Sequence, residues 1–117
     1  MNALIVDDEL ISQEILARLL QSDFPDISIT GKTQSVKETL AWLQNPANKA
    51  DIIFMDIELL DGNCFEIFRQ SEIKARVVMT TAYDKYAVKA FEEGAVDYIL
   101  KPYDQTAVRR AVLRCIT

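Results

Sequence analysis

Four short apolar runs punctuate the chain, at residues 3–6, 52–55, 77–79 and 96–100. They are rich in Val, Ile, Phe and Met. Continuous runs of this length predict strands buried on both faces, as in a parallel sheet. A weaker alternation, Ile27-Ser28-Ile29-Thr30, predicts an edge strand of the same sheet. Between the runs, apolar residues take up helical spacing. Ile11, Ile15, Leu16, Leu19 and Leu20 form one stripe, and Val36, Leu40 and Leu43 a second. The second opens with Ser35 and Glu38, a capping-box spacing. Phe65 and Phe68 predict a short third helix. Ala87, Ala90 and Phe91 predict a fourth, ended by Gly94. Val108, Ala111, Val112 and Cys115 predict a fifth.

Strand and helix therefore alternate five times. That order predicts an α/β fold, a mainly parallel sheet with helices on both faces and right-handed crossovers. A flavodoxin-like doubly wound sheet is the leading topology, and a small Rossmann-type sheet the second. In open sheets of this kind the site lies beyond the carboxyl ends of the strands, where the strand order reverses.

A chain of 117 residues, half of them hydrophobic, is one domain with a real core. No apolar stretch approaches the ~20 residues that span a bilayer. The first run is broken at once by Asp7, Asp8 and Glu9, so it is no secretory signal, and a cytoplasmic location is expected. A net charge of −5 argues against direct binding to nucleic acid or an anionic membrane. Cys64 and Cys115 form no CxxC pair and read as reduced thiols. The chain has no histidine, which excludes Ser-His-Asp and Cys-His mechanisms and histidine-ligated metals.

The polar residues after each run carry the candidate chemistry. Asp7, Asp8 and Glu9 follow the first, Asp56 the next, then Thr80 and Thr81, then Lys101 and Pro102. A parallel sheet brings these positions to one edge. Carboxylates so gathered repel one another and raise each other's pKa. Mg²⁺, held by few hard oxygens and water, removes that repulsion. A carboxylate beside it can attack phosphorus and form an aspartyl phosphate, with a lysine and a hydroxyl neutralising the phosphoryl oxygens. Taken singly, each residue has a plainer reading: Asp7 and Asp8 as helix caps, Asp56 as a loop residue, Lys101 as a surface charge, Thr81 as a strand-end hydroxyl. Their joint placement at successive strand ends outweighs those readings.

The runs Ile5-Val6-Asp7-Asp8-Glu9 and Ile53-Phe54-Met55-Asp56-Ile57, the pair Thr81-Ala82 and the run 97–102 resemble the receiver domain of response regulators. The resemblance covers essentially the whole chain, 1–117. It implies a (βα)5 receiver fold with strand order 2-1-3-4-5. Residues 81–91 further resemble receivers of the LytTR branch, whose output domain binds DNA. By position, Asp56 matches the phospho-acceptor. Asp8 and Asp56 match direct Mg²⁺ ligands, Asp7 one acting through water, and the backbone carbonyl of Glu58 the remaining protein ligand. Thr81 matches the switch hydroxyl, Tyr98 the aromatic that follows it, and Lys101 the lysine that contacts the phosphoryl oxygens. The Lys101-Pro102 bond is implied to be cis.

The sequence departs from the family pattern at Leu60, where many receivers carry proline, and in a shorter loop to Asp61-Gly62. Glu58 and Tyr83 fall where the family tunes the lifetime of the phosphoryl group. The resemblance also implies a sensor histidine kinase as partner and a homodimer formed on phosphorylation. Tyr83, Tyr86, Lys85, Lys89, Arg109 and Arg110 are candidates for the switching face. DNA would be reached only through an output domain of a longer regulator, and there is no membrane role. The domain would take part in its own phosphorylation without being a turnover enzyme. Among rivals, a haloacid dehalogenase-type enzyme lacks the second aspartate in Asp56-Ile57-Glu58. A nucleotide- or flavin-binding module lacks a glycine-rich loop, since Gly31, Gly62 and Gly94 are isolated. A degenerate receiver would not carry the full acidic set with Thr81 and Lys101.

Overall fold

Alternation within the apolar runs decides the architecture. In a strand, successive side chains point to opposite faces, so a wholly apolar run needs cover on both. The computed structural model, which describes all 117 residues, provides that cover. Strands β1 (Asn2–Val6), β2 (Ser28–Thr33), β3 (Ile52–Asp56), β4 (Arg76–Thr81) and β5 (Asp97–Leu100) form one sheet. Its order is β2-β1-β3-β4-β5, with every neighbouring pair parallel. This is the doubly wound order expected from the resemblance. The helices are α1 (Leu10–Asp23), α2 (Val36–Gln44), α3 (Phe65–Gln70), α4 (Ala87–Glu92) and α5 (Gln105–Ile116).

The sheet separates two cores of 14 buried residues each. Ala3, Ile5, Ile52, Phe54, Val78 and Ile99 face α1 and α5, meeting Leu16, Leu20, Val108 and Val112. Their alternates Leu4, Val6, Ile53, Met55, Val77 and Met79 face α2, α3 and α4, meeting Val36, Phe65, Ile67 and Ala90. Each such aliphatic side chain contributes about 1.5–3 kcal/mol on leaving water. On the second face Trp42 packs α2 directly onto β2. A Cβ added to Gly31 would stand 2.5 Å from its indole nitrogen, so the close approach needs glycine.

Some expectations shift. The α1 stripe is not all core: Ile11 is 74% and Ile15 46% exposed, while Leu16 and Leu20 are buried. A helix resting on a flat sheet buries a narrow arc, and here Gln13 and Ala17 complete it. The Gln13 amide is satisfied there, donating to Asp7 O at 2.7 Å and Thr33 O at 3.0 Å. Phe91 of α4 is likewise exposed, and Ala90 is the residue that packs. Ile27 and Val96 precede their strands instead of opening them. Gly94 ends α4 with φ 92°, a conformation that side chains disfavour. The Lys101-Pro102 bond is cis. No helix is long and apolar enough to cross a membrane.

Candidate functional site

Register brings the strand ends to one level. Met55 pairs with Val6, Asp56 with Thr80, and Thr81 with Leu100. The chain then leaves each strand at the same rim. Three backbone hydrogen bonds lock that exit: Asp7 N to Thr33 O at 3.0 Å, Ile57 N to Thr80 O at 3.0 Å and Lys101 N to Thr81 O at 2.7 Å. Asp7, Asp56 and Thr81 are buried. A cavity of about 180 Å³ opens among Asp8, Asp56, Glu58, Thr81, Tyr83 and Lys101.

Lys101 Nζ reaches into the carboxylates, 2.8 Å from Asp7 Oδ2, 3.1 Å from Asp56 Oδ2 and 3.3 Å from Glu9 Oε1. The Glu9 and Asp56 contacts are hydrogen bonds. The Asp7 contact is the shortest of the three, and Asp7 Oδ2 is buried with no partner besides this ammonium. Asp7 Oδ1 accepts from Glu9 N at 2.9 Å, which fixes the carboxylate's orientation. Ligand oxygens of Asp7, Asp8, Glu9 and Asp56 lie within 4.8 Å of one another.

The protonation equilibria record this crowding. Burial, opposed by Lys101 and aided by the Asp7 charge, pushes Asp56 up to about 7. Burial and the Asp7 charge also raise Asp8. Burial disfavours the Lys101 ammonium, but the carboxylates of Asp7 and Asp56 outweigh it and the net shift is upward. A cluster of hard oxygens, with Asp8 and Asp56 raised and Asp7 Oδ2 buried with Lys101 as its only partner, fits a small divalent cation. One ammonium does not neutralise four carboxylates.

The remaining predicted residues surround this centre. Thr81 Oγ1 accepts from Tyr83 N at 3.2 Å. The Tyr98 hydroxyl donates to Tyr83 O, so Tyr83 is held at both its amide and its carbonyl. Glu58 N donates to Asp56 Oδ1 at 3.4 Å, and the Glu58 carboxylate accepts from the Tyr86 hydroxyl at 2.9 Å. The loop around Leu60 is a small antiparallel hairpin, Glu58–Leu59 against Gly62–Asn63, with Leu60 exposed at its tip.

Two residues expected on an open switching face are tied to their own chain. Arg110 Nε donates to Asp97 Oδ2 at 3.0 Å, and Arg109 pairs with Asp23 at 3.1 Å. Sequence reasoning missed Asp97, a buried acid inside an apolar run, although arginines one turn apart at 110 and 114 on α5 signal an acidic partner. It also missed Glu9 as a partner of Lys101.

The chain belongs to the response regulator receiver domains: the family model described as "Response regulator receiver domain" matches residues 3–113. It is the receiver of a two-component response regulator, and its relatives carry the names of the LytT and LytR regulators. It is 42% identical to the sensory transduction protein LytR of Streptococcus mutans, over 97% of this chain and 48% of that protein. It is 40% identical to the sensory transduction protein LytT of Bacillus anthracis, over 92% of this chain and 44% of that protein. The chain thus spans less than half the length of these relatives. Among solved structures it resembles the response regulatory domain of mrkE from Klebsiella pneumoniae, with a TM-score of 0.87 and 32% identity over 99% of this chain and 95% of that one. The resemblance to the LytTR branch read from residues 81–91 is borne out.

Proposed function

We propose that Asp56 accepts a phosphoryl group from a sensor histidine kinase. The observation that carries this reading is one buried carboxylate, Asp56, placed 3.1 Å from Lys101 Nζ inside a four-carboxylate cluster at the strand ends. Asp8 and Asp56 would hold Mg²⁺ directly, Asp7 through water, and the Glu58 carbonyl would complete the protein ligands. Bound there, Mg²⁺ supplies positive charge that offsets both the carboxylate repulsion and the charge on the transferring group. An Asp56 oxygen forms a bond to phosphorus as the phosphorus–nitrogen bond of the donor's phosphohistidine breaks. The departing nitrogen keeps the electron pair. Lys101 donates to the phosphoryl oxygens, and Thr81 turns its hydroxyl from the Tyr83 amide towards them.

Moving Thr81 loosens Tyr83, which Tyr98 also holds, so the α4–β5–α5 face changes with the acceptor. That face pairs two copies in the phosphorylated state. The domain acts in the cytoplasm as the receiver of a longer regulator whose output domain reaches DNA. One relative's name, transcriptional regulatory protein LytR from Staphylococcus aureus, supports that role. The domain is phosphorylated and dephosphorylated without turning over a substrate of its own.

Intact-mass measurement after incubation with acetyl phosphate tests the chemistry. The wild type gains one phosphoryl group only with Mg²⁺, and Asp56→Asn gains none. No gain in folded wild type would overturn the proposal in favour of a receiver that binds partners without phosphorylation.

A further inference from the structure

Tyr86 closes the one-turn 3-10 helix Asp84–Tyr86 that leads into α4. Its hydroxyl donates to Glu58 Oε1 across 2.9 Å, joining the loop after β4 to the loop after β3. The phenol ring is fixed on two sides. Phe65 stands 6.4 Å away between centroids, and Lys85 Nζ lies 5.1 Å from its centre. The Glu58 side chain has no other hydrogen-bond or ionic partner, because Lys101 is engaged by Asp7, Glu9 and Asp56.

Glu58 lines the same cavity as Asp8, Asp56 and Lys101. Its carboxylate nevertheless stands outside the cluster formed by Asp7, Asp8, Glu9 and Asp56. A glutamate at that rim would gain by turning towards a bound cation, since the affinity of hard cations rises with the number of charged oxygen ligands. A hydrogen bond to an ionised acceptor is stronger than a neutral one, and Tyr86 supplies one to a Glu58 carboxylate that is not among the clustered oxygens.

We propose that Tyr86 is a positioning residue that withholds the Glu58 carboxylate from the cation site and so sets that site's charge and its divalent-cation affinity. This rests on reading the acidic cluster as a Mg²⁺ site. With Tyr86 in place, the carboxylates at the site are those of residues 7, 8, 9 and 56, and the approach to Asp56 past Glu58 stays open. Without the hydroxyl, Glu58 joins them. Mg²⁺ then binds more tightly, and the added negative charge beside Asp56 slows capture of an anionic phosphodonor.

The test is calorimetric titration with Mg²⁺ of the wild type, Tyr86→Phe, Glu58→Gln and the double variant. Tyr86→Phe is expected to bind on the order of tenfold more tightly, through one added carboxylate ligand, and to gain phosphoryl mass from acetyl phosphate more slowly. Glu58→Gln keeps an amide oxygen for Tyr86 and serves as the reference for the double variant. The double variant matches Glu58→Gln, because the carboxylate that moves is gone. A merely structural role for Tyr86 would weaken cation binding instead of strengthening it. Unchanged or weaker Mg²⁺ binding in Tyr86→Phe, or a gain that persists in the double variant, overturns the inference. Absence of Mg²⁺ binding by the wild type overturns the site reading itself.

Discussion

At the scale of single residues, one ammonium decides how the gathered carboxylates are tolerated. Lys101 Nζ lies within 3.3 Å of three carboxylates, two of them on buried aspartates. Removing one partner of a buried ionic group leaves its charges uncompensated, at a cost of about 3–5 kcal/mol. Lys101→Met, which keeps the stem and loses the charge, should therefore destabilise the Mg²⁺-free protein by about 3 kcal/mol in urea unfolding. Added Mg²⁺ should restore more of the midpoint in this variant than it adds to the wild type. Equal midpoints without Mg²⁺ would mean that the carboxylates are already neutral without Lys101. The residues that sequence alone brought together, Asp7, Asp8, Asp56, Thr81 and Lys101, were legible because each lies within two positions of the end of an apolar run. The pairs Glu58 with Tyr86 and Asp97 with Arg110 were not. They join residues 28 and 13 positions apart whose meeting depends on how loops and helices settle on the sheet.

At the scale of elements, helix α2 shows how a loop can be anchored by a helix it does not adjoin. Asp61 accepts from Val36 N at 2.6 Å and Lys37 N at 3.0 Å, and Ser35 Oγ accepts from Glu38 N at 3.0 Å. The first three amides of the helix are thus all satisfied, two of them by the hairpin that follows β3. These donors hold the Asp61 carboxyl below its ordinary range. Asp61→Ala should cost about 1 kcal/mol, the usual size of a lost cap, measured as a shift in the urea midpoint near neutral pH. The Asp61 contribution is present above the unfolded value of 3.8 and is lost as pH falls through the lower folded value. The wild type and Asp61→Ala should therefore converge in acid, and a difference that persists there would assign the loss to packing instead. The Ser35 cap was readable as a local spacing, whereas the Asp61 cap crosses 25 residues and was not. Helix α1 shows the opposite limit. Its apolar stripe was wider than the arc a sheet can cover, so spacing alone could not separate Leu16 from Ile11.

At the scale of the whole molecule, the acidic rim sets the pH dependence of stability. Asp56 sits near 7 in the folded chain against 3.8 when unfolded. Between those values the folded state holds a proton that the unfolded state has released, so stability falls as pH rises through this window and levels off above it. Asp8, also raised, acts in the same direction. Urea midpoints of the Mg²⁺-free protein should decline from about pH 5 to about pH 7, with a shallower decline in Asp56→Asn. A midpoint that rose over that interval would refute the crowding described at the rim. On the proposed reading Mg²⁺ would bind the ionised folded site and not the unfolded chain, and should then flatten the slope by mass action.

The sheet itself carries a further implication, for how such a protein can vary. Each face has its own core, built from alternate residues of the same strands and sealed from the other by the backbone ladder. Substitutions without shared neighbours combine additively. A change behind α1 and α5 therefore leaves the repertoire behind α2, α3 and α4 almost untouched. The two hydrophobic compartments can drift as separate modules. Only the polar rim, where Lys101 and Asp7 and Asp56 draw on strands that serve both, ties their histories together.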